Sequence, residues 1–154
     1  MNLMLLFSFL LMKDWTLTQD GFIGGEDRFL SAGTRLAATD EGTIYLLDPN
    51  AFRVFILDRN WKDIGSFGQK GKGPGEFEEP KTITLTPDGQ PVVFDPTLKR
   101  ITIFDGKGEV VKTLPMDTGS VALYHPASLD DQHFAFLGAR SHNGRPVYDL
   151  AIYD

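Results

Sequence analysis

The chain has 154 residues, of which 42% are hydrophobic and 12% aromatic, a composition that suits one compact unit with a buried core. Acidic residues outnumber basic residues by 21 to 15, and the net charge of -6 argues against a nucleic-acid partner, because such partners bind basic surfaces. The chain contains no cysteine, which excludes disulfides, thiolate catalysis and cysteine zinc sites.

The first predicted element is an apolar N-terminal segment, residues 1–14. Its apolar run from Leu3 to Met12 is too short to cross a bilayer as a helix, so we expect no membrane span. The run is either the remnant of a signal peptide, which implies a periplasmic or extracellular protein, or a buried strand in a cytoplasmic one. No Lys or Arg precedes it and no small-residue cleavage site follows before Trp15, which favours the strand.

A repeat fills the rest of the chain, residues 15–154. The stretches 41–58 and 88–105 align without a gap at a spacing of 47 residues. The residues that recur are Gly42, Asp48, Pro49, Arg53 and Asp58, matched by Gly89, Asp95, Pro96, Arg100 and Asp105. A weaker copy occupies 131–154, where Gly138 replaces the aspartate and we expect a longer middle loop. The copies cover residues 36–80, 83–126 and 127–154.

Each copy is predicted to form short strands, which we name A, B, C and D. In the second copy Ile83 and Leu85 alternate with threonines, as in a half-buried strand. Asp88-Gly89 is a hairpin signal, "PVVF" and "RITIF" are rich in β-branched and aromatic residues, and Lys107-Gly108 turns the chain into "EVVKTL". The sequence therefore predicts an all-β chain with four antiparallel strands per repeat.

The stretch 71–114, "GKGPGEFEEPKTITLTPDGQPVVFDPTLKRITIFDGKGEVVKTL", resembles the NHL-repeat group and the related bacterial six-bladed β-propellers. The similarity is best over residues 36–126. It implies β-propeller blades, with a ligand surface where the D–A and B–C loops gather at the mouth of the central channel.

The predicted strands amount to three blades, read as D, ABCD, ABCD and ABC, with the first D strand near Trp15. Three blades do not close a ring. Either a homodimer completes a six-bladed ring, or the chain is a fragment of a longer propeller. The similarity of "FLLMKDW" (9–15) to "FILDRNW" (55–61) favours the fragment.

The glycine-rich stretch "FGQKGKGPGEFEEP", residues 67–80, invites comparison with phosphate-binding loops. A P-loop needs a Ser or Thr after its lysine and a following helix, whereas here Gly73 follows Lys72 and a strand comes next. We therefore interpret the glycines as bend residues between strands D and A, with Phe77 as a buried anchor and Pro80 at the end of the bend.

Two repeated charged pairs are interpreted as structural clasps. Asp48 and Asp95 close a strand B, a four-residue loop follows, and Arg53 and Arg100 open the facing strand C. Charge-assisted hydrogen bonds from such pairs would brace the loop between them.

Metal and nucleophile motifs are missing from the sequence. His125, His133 and His142 have no partner at metal-ligand spacing, so we expect neither a metal nor another cofactor. The leading hypothesis is a non-enzymatic binding or scaffold module for a protein, peptide or glycan, and the alternative is a metal-assisted hydrolase or lyase in the channel. The candidate ligand residues on the loop face are Arg28, Lys70, Lys72, Glu76, Tyr124, His125, Arg140 and His142.

Overall fold

The computed structural model describes residues 31–116, 122–128, 133–143 and 145–153. The predicted N-terminal segment 1–14, the predicted strand near Trp15 and the candidate Arg28 lie outside these residues. Within the described ranges all regular structure is β-strand. No helix in that part of the chain is long and apolar enough to span a membrane.

Two four-stranded antiparallel sheets repeat the same strand order. Neighbours in the chain are neighbours in each sheet, as the turn signals predicted. Sheet 1 contains β1 (Arg35–Ala38), β2 (Ile44–Asp48), β3 (Arg53–Leu57) and β4 (Asp63–Phe67). Sheet 2 contains β5 (Thr82–Leu85), β6 (Pro91–Asp95), β7 (Arg100–Phe104) and β8 (Val110–Pro115).

The tight turns of the two sheets share their hydrogen bonds. The amide of Gly42 donates to the Thr39 carbonyl at 2.9 Å, and the amide of Gly89 donates to the Thr86 carbonyl at the same distance. Gly89 has a φ of 79°, a conformation that glycine adopts without strain. The sequence repeat thus reflects a repeat of local structure.

The third sheet differs from the other two. It contains β9 (Ala122–Ser128), β10 (Phe134–His142) and β11 (Arg145–Tyr153), with β10 in the centre. The longer middle loop expected after Gly138 is wrong: β10 and β11 pair continuously from Phe134 with Tyr153 to His142 with Arg145. The additional residues lengthen the strands, because ladder hydrogen bonds satisfy their backbone groups better than an open loop would.

The three sheets pack side by side. Strand β1 lies next to β5, and β5 lies next to β9, so the first strands of the sheets are neighbours. Sheet 2 is covered on both faces, since Val93 packs toward sheet 1 while Val92 packs toward sheet 3. This explains why β6 is buried along its whole length instead of alternating between buried and exposed residues.

Aromatic side chains fill the space between sheets. Phe104 lies against Phe67 and Phe77, with ring centroids 4.6 and 5.9 Å apart. Phe94 lies against Phe136 at 5.3 Å in an edge-to-face arrangement. Phe77, the predicted anchor of the glycine-rich stretch, is 1% exposed and is confirmed as a core residue.

Candidate functional site

The connections between the strands of sheets 1 and 2 lie at two opposite ends of the sheets. The loop face carries the B–C loops 49–52 and 96–99, the D–A connection 68–81 and residues 31–34 before β1. The turn face carries the A–B turns 39–43 and 86–90 and the C–D turns 58–62 and 105–109. The glycine-rich stretch and both predicted clasps lie on the loop face.

The glycine-rich stretch surrounds a carboxylate of its own. The Glu76 carboxylate accepts hydrogen bonds from Gln69 Nε2 at 2.8 Å and from the Gly73 amide at 2.7 Å. These hydrogen bonds, with Gln69 the main contributor, hold the pKa of Glu76 below its usual value. The loop thus binds an anion as a glycine loop does, but the anion is an internal side chain.

Gly71 and Gly73 make room for that carboxylate. A Cβ atom on Gly71 would lie 2.1 Å from Glu76 Oε2, and one on Gly73 would lie 3.0 Å from it. Hydrogen bonds between the Gly71 amide and the Phe77 carbonyl, and between the Phe77 amide and the Gln69 carbonyl, close the loop at 2.9 and 2.8 Å. The bend is therefore a fixed structure, anchored by the buried Phe77 ring.

Asp95 joins two loops from below the surface. Its carboxylate is 2% exposed and accepts four backbone amides. Oδ1 binds the amides of Thr97 and Leu98 in the B–C loop, and Oδ2 binds those of Glu78 and Glu79 in the D–A connection. One side chain therefore fixes the relative positions of the two loops.

Asp48 repeats this arrangement 47 residues earlier. It accepts the amides of Asn50 and Ala51 in its own B–C loop, and the amide and hydroxyl of Ser31. Burial alone would raise the pKa of Asp48, but these hydrogen bonds outweigh it and lower the pKa below its ordinary value.

Arg100 braces the glycine-rich stretch from the other side. Its guanidinium donates to the carbonyls of Lys72, Gly73 and Glu76 at 3.2, 2.6 and 2.8 Å. Asp95 and Arg100 are backbone partners in the ladder, yet the carboxylate binds amides while the guanidinium binds carbonyls. Each charge meets the end of the peptide group that suits it, so the clasp joins side chains to backbone.

A surface groove of about 360 Å³ opens on the loop face between sheets 1 and 2. The first B–C loop forms one side, and the end of the D–A connection forms the other. The residues along it are Ala32, Gly33, Arg35, Pro49, Asn50, Phe52, Glu78, Glu79, Pro80 and Lys81. Because Asp48 and Asp95 hold the backbone on both sides, the groove is preformed.

Both signs of charge surround the groove. Lys81 pairs with Glu79 at 2.5 Å, and Lys72 pairs with Glu78 at 3.3 Å. Lys70 Nζ lies 5.1 Å from the ring centroid of Phe52, a cation–π contact. Arg35 donates to the carbonyls of Gly33 and Thr34 at 2.8 and 3.3 Å.

The structure brings some of the candidate residues to this site. Lys70 and Lys72 lie beside the groove, and Glu76 is turned into the glycine-rich stretch. Tyr124 and His125 lie within strand β9, so the loop position expected for them is wrong. A bulge interrupts the pairing of β9 with β10 between Ala135 and Leu137, where one residue of β10 faces two residues of β9, His125 and Pro126. Pro126 has no amide to donate to the ladder, which accounts for the interruption.

Arg140 and His142 also lie in a strand and not in a loop, near the end of β10. Sequence reasoning missed Arg35, Asn50, Phe52, Glu79 and Lys81, which line the groove. Asn50 and Phe52 belong to the B–C loop between the repeated Asp and Arg, and this position in the repeat is the sequence feature that could have identified them as groove residues.

Among the residues that the structure describes, no three Asp, Glu or His side chains come close enough to hold an ion.

Solved structures provide the comparison. A putative exported protein from Bacteroides fragilis NCTC 9343 superposes with a TM-score of 0.59 at 11% identity, over 75% of this chain and 32% of that one. Virginiamycin B lyase from Staphylococcus aureus gives 0.53 at 14% identity, covering 79% and 41%. A streptogramin B lyase structure gives 0.54 at 18%, covering 79% and 40%.

These neighbours are β-propeller-type proteins, and each covers three quarters or more of this chain. The chain is built of β-propeller blades. It spans about a third to two fifths of the length of these propellers. Identities below 20% show a shared fold and transfer no activity. No family model matches the chain, and no curated protein matches its sequence.

Proposed function

We propose that this β-propeller chain is a non-enzymatic binding or scaffold module that recognises a protein, peptide or glycan through its loop face. One observation carries the proposal: the groove of about 360 Å³ is lined by exposed polar side chains on a backbone held by two buried aspartates. A preformed groove binds a ligand with little ordering of its own loops, which favours affinity.

The groove offers several kinds of contact. Asn50 is exposed and supplies both a donor and an acceptor, while the half-buried Phe52 and Pro49 supply apolar surface. Arg35 and Lys81 are exposed donors at the same groove. This mixture suits an extended ligand with alternating polar and apolar groups.

We further propose that this chain is related to the NHL-type and bacterial six-bladed propellers. It is supported by the glycine-rich stretch that ends in Phe77 and Pro80, both buried here, and by the repeated Asp and Arg at the B–C loops. A six-bladed ring needs blades beyond the three sheets described. A second copy of the chain would provide them, as would further blades of a longer chain.

Labelled protein screened against peptide and glycan arrays tests the binding function. The loop-face variant combines Asn50→Ala with Lys81→Ala, and the matched turn-face control combines Asn60→Ala with Lys62→Ala; all four side chains are exposed. We expect a hit that binds the wild type and the control alike, and the loop-face variant at least about tenfold more weakly. A hit weakened only by the turn-face control would contradict the proposal.

Metal analysis of the purified protein separates this function from the metal-assisted hydrolase or lyase. If the protein is a binding module, we expect it to retain less than one metal ion per chain after dialysis against a mixture of divalent ions. Stoichiometric Ca²⁺ or Zn²⁺ would favour the enzyme.

A further inference from the structure

The charged residues of sheets 1 and 2 are distributed unequally between the two ends. Between residues 31 and 116 the turn face, counted together with the first residue of β4, carries seven acidic and three basic residues. The acidic ones are Asp40, Glu41, Asp58, Asp63, Asp88, Asp105 and Glu109. The loop face, counted together with the strand ends that adjoin it, has the opposite balance, with seven basic and five acidic residues, and Lys112 within β8 belongs to neither face. Its basic residues are Arg35, Arg53, Lys70, Lys72, Lys81, Lys99 and Arg100.

The acidic residues of the loop face are engaged within the protein. Asp48 and Asp95 are buried and bind backbone amides, and Glu76 binds its own loop. Glu78 and Glu79 pair with Lys72 and Lys81. Among residues 31–116, little negative charge on this face is therefore available to repel an approaching anion.

Two cations beside the groove have neutral partners. Lys70 lies over the Phe52 ring, and Arg35 donates to two backbone carbonyls. Both residues are exposed. Their positive charges are not offset by a carboxylate in the hydrogen bonds and ring contacts that hold them, so they face solvent beside an aromatic side chain.

The third sheet continues this pattern in its B–C hairpin. Strand β10 extends three residues, Arg140 to His142, beyond its pairing with Ala122, the first described residue of β9. The sequence from 132 to 148 contains two arginines and no acidic residue, and Arg145 at the start of β11 is exposed. The hairpin therefore adds basic residues at the end that corresponds to the loop face.

We propose that the ligand of the loop face is an acidic peptide segment of a partner protein, bound at the groove by Arg35 and Lys70. This inference rests on the proposed binding function and names the chemistry of its ligand. A chain of net charge -6 repels an acidic segment over most of its surface, so attraction confined to the loop face directs the ligand to the groove. The half-buried Phe52 and Pro49 at the groove receive the apolar side chains of the same segment.

Fluorescence anisotropy with three labelled peptides tests the proposal. The probes are short peptides of alternating glutamate and glycine, lysine and glycine, and serine and glycine. The loop-face variant is Arg35→Glu with Lys70→Glu, and the control is Arg59→Glu with Lys107→Glu on the turn face. Both pairs replace one exposed arginine and one exposed lysine, so the net charge changes equally.

We expect the glutamate peptide to bind the wild type at least about tenfold more tightly than the other two, with affinity falling as salt rises. The loop-face variant should lose at least about tenfold in affinity, and the control less than about threefold. Circular dichroism melts of both variants confirm folding.

Three results would overturn the acidic ligand. Absence of glutamate-peptide binding at low salt does so, and so does equal weakening by both variants, which indicates a net-charge effect. If the serine or lysine peptide binds best and only the loop-face variant weakens it, the acidic class is wrong while the loop-face function stands.

Discussion

The aspartates that end the B strands are the residues on which the loop face depends. Asp95 satisfies two backbone amides in the adjoining B–C loop and two in the D–A connection, 16 and 17 positions away in the chain. A buried amide without a hydrogen-bond partner raises the free energy of the folded state, so this single carboxylate stabilises the fold by satisfying the amides of both loops.

Replacing Asp95 with Ala should therefore lower the free energy of unfolding by about 2–4 kcal/mol, since it leaves buried amides without an acceptor. Urea denaturation measures the loss. The exposed Asp88→Ala on the turn face is the control, with a change within about 0.5 kcal/mol. Equal effects of the two substitutions would show that the buried hydrogen bonds contribute little.

The pH dependence of stability follows from carboxyl groups with lowered pKa values. Hydrogen bonds lower the pKa values of three carboxyl groups. The main donor is Gln69 for Glu76, Lys81 for Glu79 and the Glu109 amide for Asp105. A carboxyl whose pKa is lower in the folded state stabilises the fold above its unfolded pKa, and the contribution is lost as pH falls through the folded pKa.

We therefore expect the free energy of unfolding to be nearly constant from about pH 7 to about pH 5 and to fall below about pH 4. Urea denaturation at several pH values measures it. Glu76→Gln should reduce the acid-induced loss, because the amide does not titrate. Stability that rises on acidification would contradict the assignment.

The conformation of the glycine-rich stretch depends both on its local sequence and on tertiary packing. Its glycines and its following strand predicted a bend with Phe77 as anchor, and both features are present. The occupation of the loop by Glu76 was not predictable, because it depends on the loop closing so that the Gly73 amide points at a side chain three residues later.

Gly68→Ala should destabilise the protein by about 2–4 kcal/mol, from positive φ and overpacking together. Gly68 has a φ of 86°, and a Cβ there would lie 2.2 Å from the buried Phe77 ring. Gly65→Ala in β4 is the matched control, since its Cβ would make an ordinary contact at 3.6 Å. Thermal denaturation compares the two. Equal melting temperatures would show that the Phe77 ring shifts without cost.

At the scale of the whole molecule, the exposed side of sheet 1 bears on ring assembly. Leu36 in β1 is 68% exposed, whereas its equivalent 47 residues later, Ile83 in β5, is 5% exposed because it packs against sheet 1. A further sheet packed on sheet 1, as a ring requires, would cover Leu36 in the same way.

If a second copy provides that sheet, sedimentation will show a dimer that Leu36→Arg weakens by at least about tenfold. Ile64→Arg, on the exposed outer strand β4, should leave the dimer intact. A wild-type chain that stays folded and monomeric at all concentrations contradicts closure by a second copy.

The repeat, the four strands of sheets 1 and 2 and the positions of their turns follow from the sequence alone. These depend on residues close in the chain: alternation along a strand, and glycines and aspartates within a single turn. Which charges are engaged and which face solvent depends on tertiary packing, since Arg100 donates to the Gly73 carbonyl 27 positions away and Asp95 accepts from the Glu78 amide 17 positions away. The long hairpin of the third sheet and the strand positions of Tyr124 and His125 likewise became evident only from the structure. Side-chain partners so distant in sequence are set by how the sheets pack, and no local pattern records them.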